Sequence, residues 1–240
     1  MNQLSTSKRT QIIALLVEGN GLRATSCICD VSINTITKLL LEVGRESRRF
    51  HNEAVIGLKT KLVQVDEIRS FISAKPKSVP KEIREISGDV CTWTAMDADS
   101  KLMISWEIGD RSRHSVKQLI SDVRSRIATE RIRFCTDGFS IYSDAPEEIY
   151  GYDIEAVQNF RSHGSNYDLV YFAQYSASNI WVPNGVSKKV ENHRLALALH
   201  FVHYNFVKVH KTLRVTPAME AGIAKKPWTI EELIKLFQGE

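Results

Sequence analysis

Two aspartates lie at or just past apolar, β-rich segments and could together hold a divalent cation. Asp66 follows Val63 and Val65, and Asp137 follows the segment RIRFC. Carboxylates, with water and substrate phosphate, are the oxygen ligands that Mg²⁺ takes in proteins. Two such ions can clamp the attacking and leaving oxygens of a phosphodiester during in-line displacement. Aspartate is also common in turns, as at Asp137–Gly138, so residue type alone leaves a structural role open for each.

The segments around these aspartates predict one mixed β-sheet. Residues 61–73 alternate and are β-rich, and DVCTWTAMDAD and KLMISWEI predict two strands joined by a tight turn near Asp99–Lys101. The elements predicted next are a helix over 112–128, a strand in RIRFCTDG, a helix over 139–149 and a strand over 152–157. This order predicts an α/β fold, with helices on the faces of the sheet and the two aspartate-bearing strands as neighbours at its centre.

The N-terminal residues predict three short helices, over 5–19, 22–29 and 32–43. Ser32 is the predicted N-cap of the third helix, and Gly44 its predicted end. Such a trio can form a helix-turn-helix, whose third helix enters the major groove of DNA. Asn34, Thr35 and Lys38 fall away from the apolar stripe and are the candidates for reading base edges. A plain three-helix cap on the next domain is the alternative.

Further basic residues are candidates for contact with DNA phosphates. Arg45, Arg48 and Arg49 follow the third predicted helix. His210, Lys211 and Arg214 follow a long predicted helix that begins at Ser187. The histidines of that helix complete no metal-ligand set, so we interpret them as packing residues with some contact to DNA phosphate.

Composition excludes several classes of protein. The chain has 240 residues, of which 43% are apolar and 25% charged, with a formal net charge of +4, which is typical of a globular protein. Its four cysteines form no CxxC pair, so neither a disulfide framework nor a zinc finger is expected. No apolar run is long enough to span a bilayer, and we expect a reduced, cytoplasmic protein with no membrane partner.

Four segments together resemble one family. Their counterparts are found in insertion-sequence transposases of the IS1 family. The first catalytic motif of that family resembles VQVDEIRSFIS, and the second resembles FCTDGFSIY. The strands between these motifs resemble GDVCTWTAMDADSKLMISWEIGDRS, and the C-terminal helix resembles ENHRLALALHFVHYNFVKVHKTLRVTPAMEAGI. The resemblance covers nearly the whole chain apart from about residues 160–186.

The resemblance implies a helix-turn-helix DNA-binding domain over 1–50 and an RNase H-like DDE domain over 51–240, irregular over 161–186. It implies that Asp66 and Asp137 are catalytic and bind Mg²⁺ or Mn²⁺. A member of the family binds the terminal inverted repeats of its element as double-stranded DNA. It cuts there and joins the freed 3′-OH to target DNA by transesterification. We therefore expect a homo-oligomer in the cytoplasm, associated with the nucleoid.

Two departures from the family pattern bear on catalysis. The family's third acid is a Glu in a segment resembling S-x-x-E-R, whereas residues 171–186 read YFAQYSASNIWVPNGV, without an acid or an arginine. Glu191 is the nearest downstream acid and a weak candidate, since a lone acid on a helix is usually solvated. Arg69 stands where the family usually has Trp. We expect weak or no recombinase activity, with DNA binding retained.

Three alternatives remain open from the sequence. The chain could be a non-catalytic DNA-binding regulator or remnant of a transposase, in which case DNA binding would not depend on metal. It could be an RNase H-like nuclease, which cuts without joining strands. It could also be the product of a damaged gene that folds poorly.

Overall fold

The computed structural model describes residues 4–71, 89–136, 145–151, 154–159 and 190–238, and these form two compact units. The helical unit combines the described residues up to Ala54 with those from Val190 onward. The sheet unit contains the described residues between Val55 and Asn159. In chain order the elements are α1 (Thr6–Val17), α2 (Leu22–Cys29), α3 (Ile33–Ala54), β1 (Leu62–Phe71), β2 (Asp89–Asp97), β3 (Met103–Gly109), α4 (Arg113–Arg126), β4 (Ile132–Thr136), α5 (Ala145–Tyr150), β5 (Ile154–Asn159), α6 (Val190–Val202), which continues into a π-helix (His203–Val207), α7 (Pro217–Glu220) and α8 (Ile230–Gln238).

Side-chain caps fix where the N-terminal helices begin. The Ser5 hydroxyl accepts a hydrogen bond from the Lys8 amide at 3.2 Å and caps α1. The Ser32 hydroxyl accepts one from the Thr35 amide, also at 3.2 Å, so the predicted cap of α3 is confirmed. Each cap satisfies an amide that has no partner within the first turn of its helix.

Gly44 does not end the third helix, and that prediction was wrong. The helix α3 runs through Gly44 to Ala54. A Cβ atom at Gly44 would lie 2.4 Å from the carbonyl oxygen of Leu195 on α6. The glycine is therefore a packing residue, because its missing side chain lets the backbones of α3 and α6 approach each other.

The core of the helical unit draws on both ends of the chain. Its buried apolar residues from the N-terminal helices are Ile12, Ile13, Leu16, Val17, Cys29, Ile36, Leu39, Leu40 and Val43, and those from the C-terminal helices are Ala196, Leu199 and Ile234. The predicted domains were contiguous, 1–50 and 51–240. The helical unit is not contiguous, because α6 and α8 complete the apolar core of the first three helices, whereas the sheet unit is one continuous stretch of the chain.

Aromatic packing and a capping box hold the last helix in place. Phe50 on α3 packs against Phe206 and Trp228, with ring centroids 4.9 and 5.1 Å away. The Thr229 amide donates to the Glu232 carboxylate at 2.7 Å, and the Glu232 amide donates to the Thr229 hydroxyl at 3.1 Å. This reciprocal pair confirms the capping box expected from the sequence.

The sheet unit is a mixed five-stranded sheet in the order β3-β2-β1-β4-β5. The pairs β1–β2 and β2–β3 are antiparallel, whereas β1–β4 and β4–β5 are parallel. The predicted α/β class is confirmed, as are the hairpin between β2 and β3 and the central position of β1 beside β4. Helix α4 covers one face with Val116, Leu119, Ile120 and Val123, all fully buried.

A buried carboxylate organises the β2–β3 turn. Asp97 accepts hydrogen bonds from the Ser100 amide at 2.9 Å and from the Thr60 hydroxyl. Lys101 takes a left-handed conformation with φ of 61° and donates to the Ala98 carbonyl. The turn thus lies where the sequence predicted it.

Among the described residues, no helix combines the length and apolarity needed to cross a membrane.

Replacing Gly44 by alanine tests whether the close approach of α3 and α6 stabilises the helical unit. The added methyl group meets a backbone carbonyl that cannot rotate away, so Gly44→Ala should lower the free energy of unfolding by about 1–3 kcal/mol, even though alanine favours helix. Urea unfolding followed by circular dichroism measures this. Gly21→Ala is the control, because no heavy atom lies within 4 Å of its added Cβ. An equal or smaller loss at Gly44 than at Gly21 would contradict the packing role.

Candidate functional site

Asp66 lies on β1, the central strand of the sheet, and contacts from the neighbouring strand β2 hold its backbone. It pairs with Thr94 across the antiparallel ladder, and the Thr94 hydroxyl donates to the Asp66 carbonyl oxygen at 3.2 Å. One carboxylate oxygen of Asp66 accepts the amide of Glu67 at 2.8 Å. The side chain is half-buried. This local hydrogen bond orients the carboxylate. The hydrogen bond from Thr94 to the Asp66 backbone depends on the pairing of β1 with β2, a long-range contact that the sequence alone does not show.

Glu67 belongs to the opposite face of β1, as the alternation of a strand requires. Its carboxylate forms an ion pair with Arg111, with oxygen-to-nitrogen distances of 2.7 and 3.0 Å. The side chain is 9% exposed. The two adjacent acids therefore have different surroundings, and Glu67 is held by Arg111 on the face away from Asp66.

The register between β1 and β4 relates the two candidate aspartates. The strands run parallel, with Gln64 level with Cys135. Asp66 comes two residues after Gln64 in the sequence, and Asp137 two residues after Cys135. Asp137 itself lies outside the described residues, as does the segment 161–186, which we expect to be irregular. Convergence of the two carboxylates therefore stays a prediction.

Glu191, the weak candidate for a third acid, lies on a different unit from Asp66. It is exposed in the first turn of α6, in the helical unit. Across the part of the chain that the structure describes, no three His, Cys, Asp or Glu side chains group as metal ligands do. A carboxylate such as Asp66 is the donor type that suits Mg²⁺ or Mn²⁺, but the described residues supply only this one ligand of the expected set.

The continuous helix α3 joins the two sets of candidate DNA-binding residues. Asn34, Lys38, Arg45, Arg48 and Arg49 are all exposed. At 100° per residue they fall within roughly a 100° sector of the helix, and they extend about 22 Å along its axis. The sequence analysis separated the arginines from the helix because it ended the helix at Gly44. The structure brings the five together on one face.

Two of the three acidic residues of α3 are held in ion pairs, and the third, Glu53, is exposed in the last turn. Glu42 binds Arg9 of α1 at 2.6 Å, and Glu46 binds Arg49 at 2.7 Å. Thr35 is half-buried and its hydroxyl lies 2.9 Å from that of the cap residue Ser32. Thr35 thus supports the start of the helix, and the positive charge of Arg45 and Arg48 dominates the exposed face beyond it.

The C-terminal candidates lie in one tight turn. The His210 amide donates to the Val215 carbonyl at 2.9 Å, and the Arg214 amide to the His210 carbonyl at 2.8 Å. Lys211 and Arg214 are exposed, but His210 is only 6% exposed, with Nδ1 3.0 Å from the Thr212 hydroxyl. The buried imidazole of His210 braces the turn that presents Lys211 and Arg214, and its contact with DNA stays a prediction.

The remaining histidines of the C-terminal helical segment are packing residues. His193 and His203 are buried, and loss of hydration lowers the pKa of each to about 4. Burial likewise lowers the pKa of His200 to about 3. The interpretation as packing residues is confirmed for His193 and His203, whereas the side chain of His200 is half-buried. Contact with DNA phosphate is not supported, because buried neutral imidazoles offer no positive charge near neutral pH.

Comparison with known proteins adds nothing to this geometry: no protein-family model and no curated protein matches the chain.

The buried histidines should make the helical unit sensitive to acid. The pKa of each is lower in the folded state than in the unfolded state. The free energy of unfolding is therefore at its full value above about pH 6.5 and decreases as pH falls toward 4, because the unfolded state binds protons first. For His193 the loss is at most about 3 kcal/mol over that window. Urea unfolding from pH 7 to 4 should show the decline, and His193→Gln should flatten it. His114→Gln, at an exposed position, should leave the slope unchanged; an equal effect of both substitutions would contradict the assignment.

Proposed function

We propose that this chain is a transposase-type DNA-binding protein of the IS1 kind, with a helix-turn-helix and an RNase H-like DDE domain. The observation that carries the proposal is the parallel pairing of β1 with β4 at the centre of the mixed sheet. That pairing supports Asp66 and Asp137 as one site, because both residues follow paired positions by the same number of residues. The order of the five strands, with a hairpin-linked trio beside two parallel strands, supports the same fold.

In this proposal, Asp66 and Asp137 are the metal ligands and the catalytic residues. Bound Mg²⁺ or Mn²⁺ would act as a Lewis acid on the phosphodiester and assist displacement at an element end. The Glu67 amide orients the Asp66 carboxylate, and the Thr94 hydroxyl holds its backbone. The alternation of β1 puts Glu67 on the other face of the sheet, where it binds Arg111, so that it does not compete with Asp66 for the cation.

The helix α3 is the proposed DNA-reading element. Asn34, Thr35 and Lys38 lie in its first two turns, where a recognition helix contacts base edges. Arg45, Arg48 and Arg49 on the same helix would bind phosphates, joined by Lys211 and Arg214. The proposed ligands are the terminal inverted repeats of the element and target DNA. Because two ends must be joined, the working form would be a homo-oligomer bound to DNA at the nucleoid.

A second function, a non-catalytic regulator or remnant of a transposase, is favoured by the incomplete acid set. The segment 171–186 contains no acid, and Glu191 is exposed on the helical unit. Two carboxylates hold one cation, but the second would lack a ligand. In this case the basic face of α3 retains its function and the sheet unit supports binding only.

Strand cleavage and joining on labelled duplexes, carrying the sequence that flanks the chain's own coding region, test the catalytic proposal. With Mg²⁺ or Mn²⁺, Asp66→Asn and Asp137→Asn should each lower the rate at least about 100-fold, because a metal ligand contributes several kcal/mol to stabilisation of transition-state charge. Asparagine at 66 keeps the bond from the Glu67 amide. Glu67→Gln is the matched control: it removes the same charge one residue away, on the opposite face.

The outcomes separate the alternatives. Cleavage lost in both aspartate variants and kept in Glu67→Gln supports the site, and joined products distinguish a transposase from an RNase H-like nuclease. DNA binding with no cleavage in the wild type assigns the regulator function. Equal cleavage by the wild type and Asp66→Asn would falsify the catalytic assignment.

Salt dependence of binding tests the phosphate role of α3. The double variant Arg45→Gln, Arg48→Gln should reduce the slope of log affinity against log salt by about 1.8, since each lost phosphate contact removes about 0.9. Lys225→Gln, Lys235→Gln is the charge-matched control in the same unit and should leave the slope unchanged. Equal slopes for both double variants would show that α3 does not contact phosphates.

A further inference from the structure

Two isoleucines are exposed on either side of the turn between α2 and α3. Ile28 near the end of α2 is 56% exposed, and Ile33 at the start of α3 is 41% exposed. Single exposed apolar residues are common and need no explanation. Here, however, Ile33 begins α3, whose outer face carries the polar and basic residues proposed to bind DNA. Ile33 therefore lies next to the proposed DNA-binding surface.

The local geometry holds Ile33 in the first helical turn. The Ser32 hydroxyl caps the helix by accepting the Thr35 amide at 3.2 Å. The Thr37 hydroxyl donates to the Ile33 carbonyl at 2.8 Å, one turn later. Residues four positions apart are neighbours on a helix surface, so Ile33 lies beside Thr37 and Asn34 beside Lys38. The two pairs are adjacent rows, about 100° apart about the helix axis, and together they make up a patch over the first two turns. These two bonds between side-chain hydroxyls and the backbone fix the first turn that carries the patch.

The composition of the patch favours the major groove of DNA over a protein partner. The groove offers hydrogen-bonding base edges and one apolar group, the C5 methyl of thymine. Asn34 suits adenine and Lys38 suits guanine, and the aliphatic side chain of Ile33 matches the methyl group. Arg45 and Arg48 farther along the helix supply the charge that a phosphate backbone attracts. An apolar protein surface would leave these charges unmatched.

We propose that Ile33 is a specificity-determining residue, which contacts the C5 methyl of a thymine in the bound DNA. This inference rests on the proposed function, because it requires that α3 enters the major groove. Ile33 would set a preference for thymine over cytosine at one position of the site, while Arg45 and Arg48 set affinity without regard to sequence.

The test removes the methyl group from the DNA as well as the side chain from the protein. Duplexes with a randomised window are selected on the full chain, and each thymine of the selected duplex is then replaced singly by deoxyuridine. At one position, deoxyuridine should weaken binding of the wild type about fourfold, the equivalent of one buried methyl group. Ile33→Ala should bind the thymine duplex about fourfold more weakly, and should bind the thymine and deoxyuridine duplexes equally.

Leu236→Ala, at a residue 45% exposed on α8, is the matched control and should respond to deoxyuridine as the wild type does. If Ile33→Ala still distinguishes thymine from deoxyuridine, or if no deoxyuridine position weakens the wild type, the role of Ile33 is overturned and DNA binding stands. If no duplex is enriched by the wild type, the proposed DNA binding fails and this inference fails with it.

Discussion

The helical unit depends on the contact between Gly44 and the Leu195 carbonyl. With no side chain at position 44, α3 and α6 pack backbone against backbone, and any Cβ there would lie 2.4 Å from that oxygen. Leu39, Leu40 and Val43 on the same helix are buried in the core that α6 and α8 complete. Since a helix has one inner and one outer face, burying the apolar side leaves the opposite sector for polar and basic residues. The candidate DNA surface is thus a consequence of how α3 is packed.

The sheet unit depends in a comparable way on β1, which is the only strand among those described with an antiparallel neighbour on one side and a parallel neighbour on the other. The alternation of its side chains separates two acids that are adjacent in sequence. Glu67 is held by Arg111 on one face, while Asp66 stays on the other. A one-residue change of register would exchange the two faces, so strand pairing, more than residue type, decides which acid is available for chemistry.

Local patterns predicted the elements well, and long-range contacts account for what was missed. Alternation, helical periodicity and caps such as Ser32 and Thr229 act within a few residues, so they can be read from the sequence. Gly44 was misassigned because a glycine after an apolar stripe is also the usual sign of a helix end. Its real role depends on Leu195, far away in the chain. The burial of His210 and the ion pair of Glu67 with Arg111 are likewise set by tertiary packing, which periodicity does not encode.

The same distinction between local and long-range requirements separates DNA binding from catalysis. A DNA-reading surface of this kind needs one rigid helix with the right outer face, and α3 carries its candidate residues within a single element. A site for two cations needs carboxylates from several elements at one place, so the loss of a single ligand segment disables it. Under the proposed function, the absence of an acid over 171–186 removes one ligand from the more demanding of the two requirements. The contacts that support α3, such as those of Arg9 and Leu195, involve no acid from that segment, so the proposed DNA binding does not require the proposed catalysis.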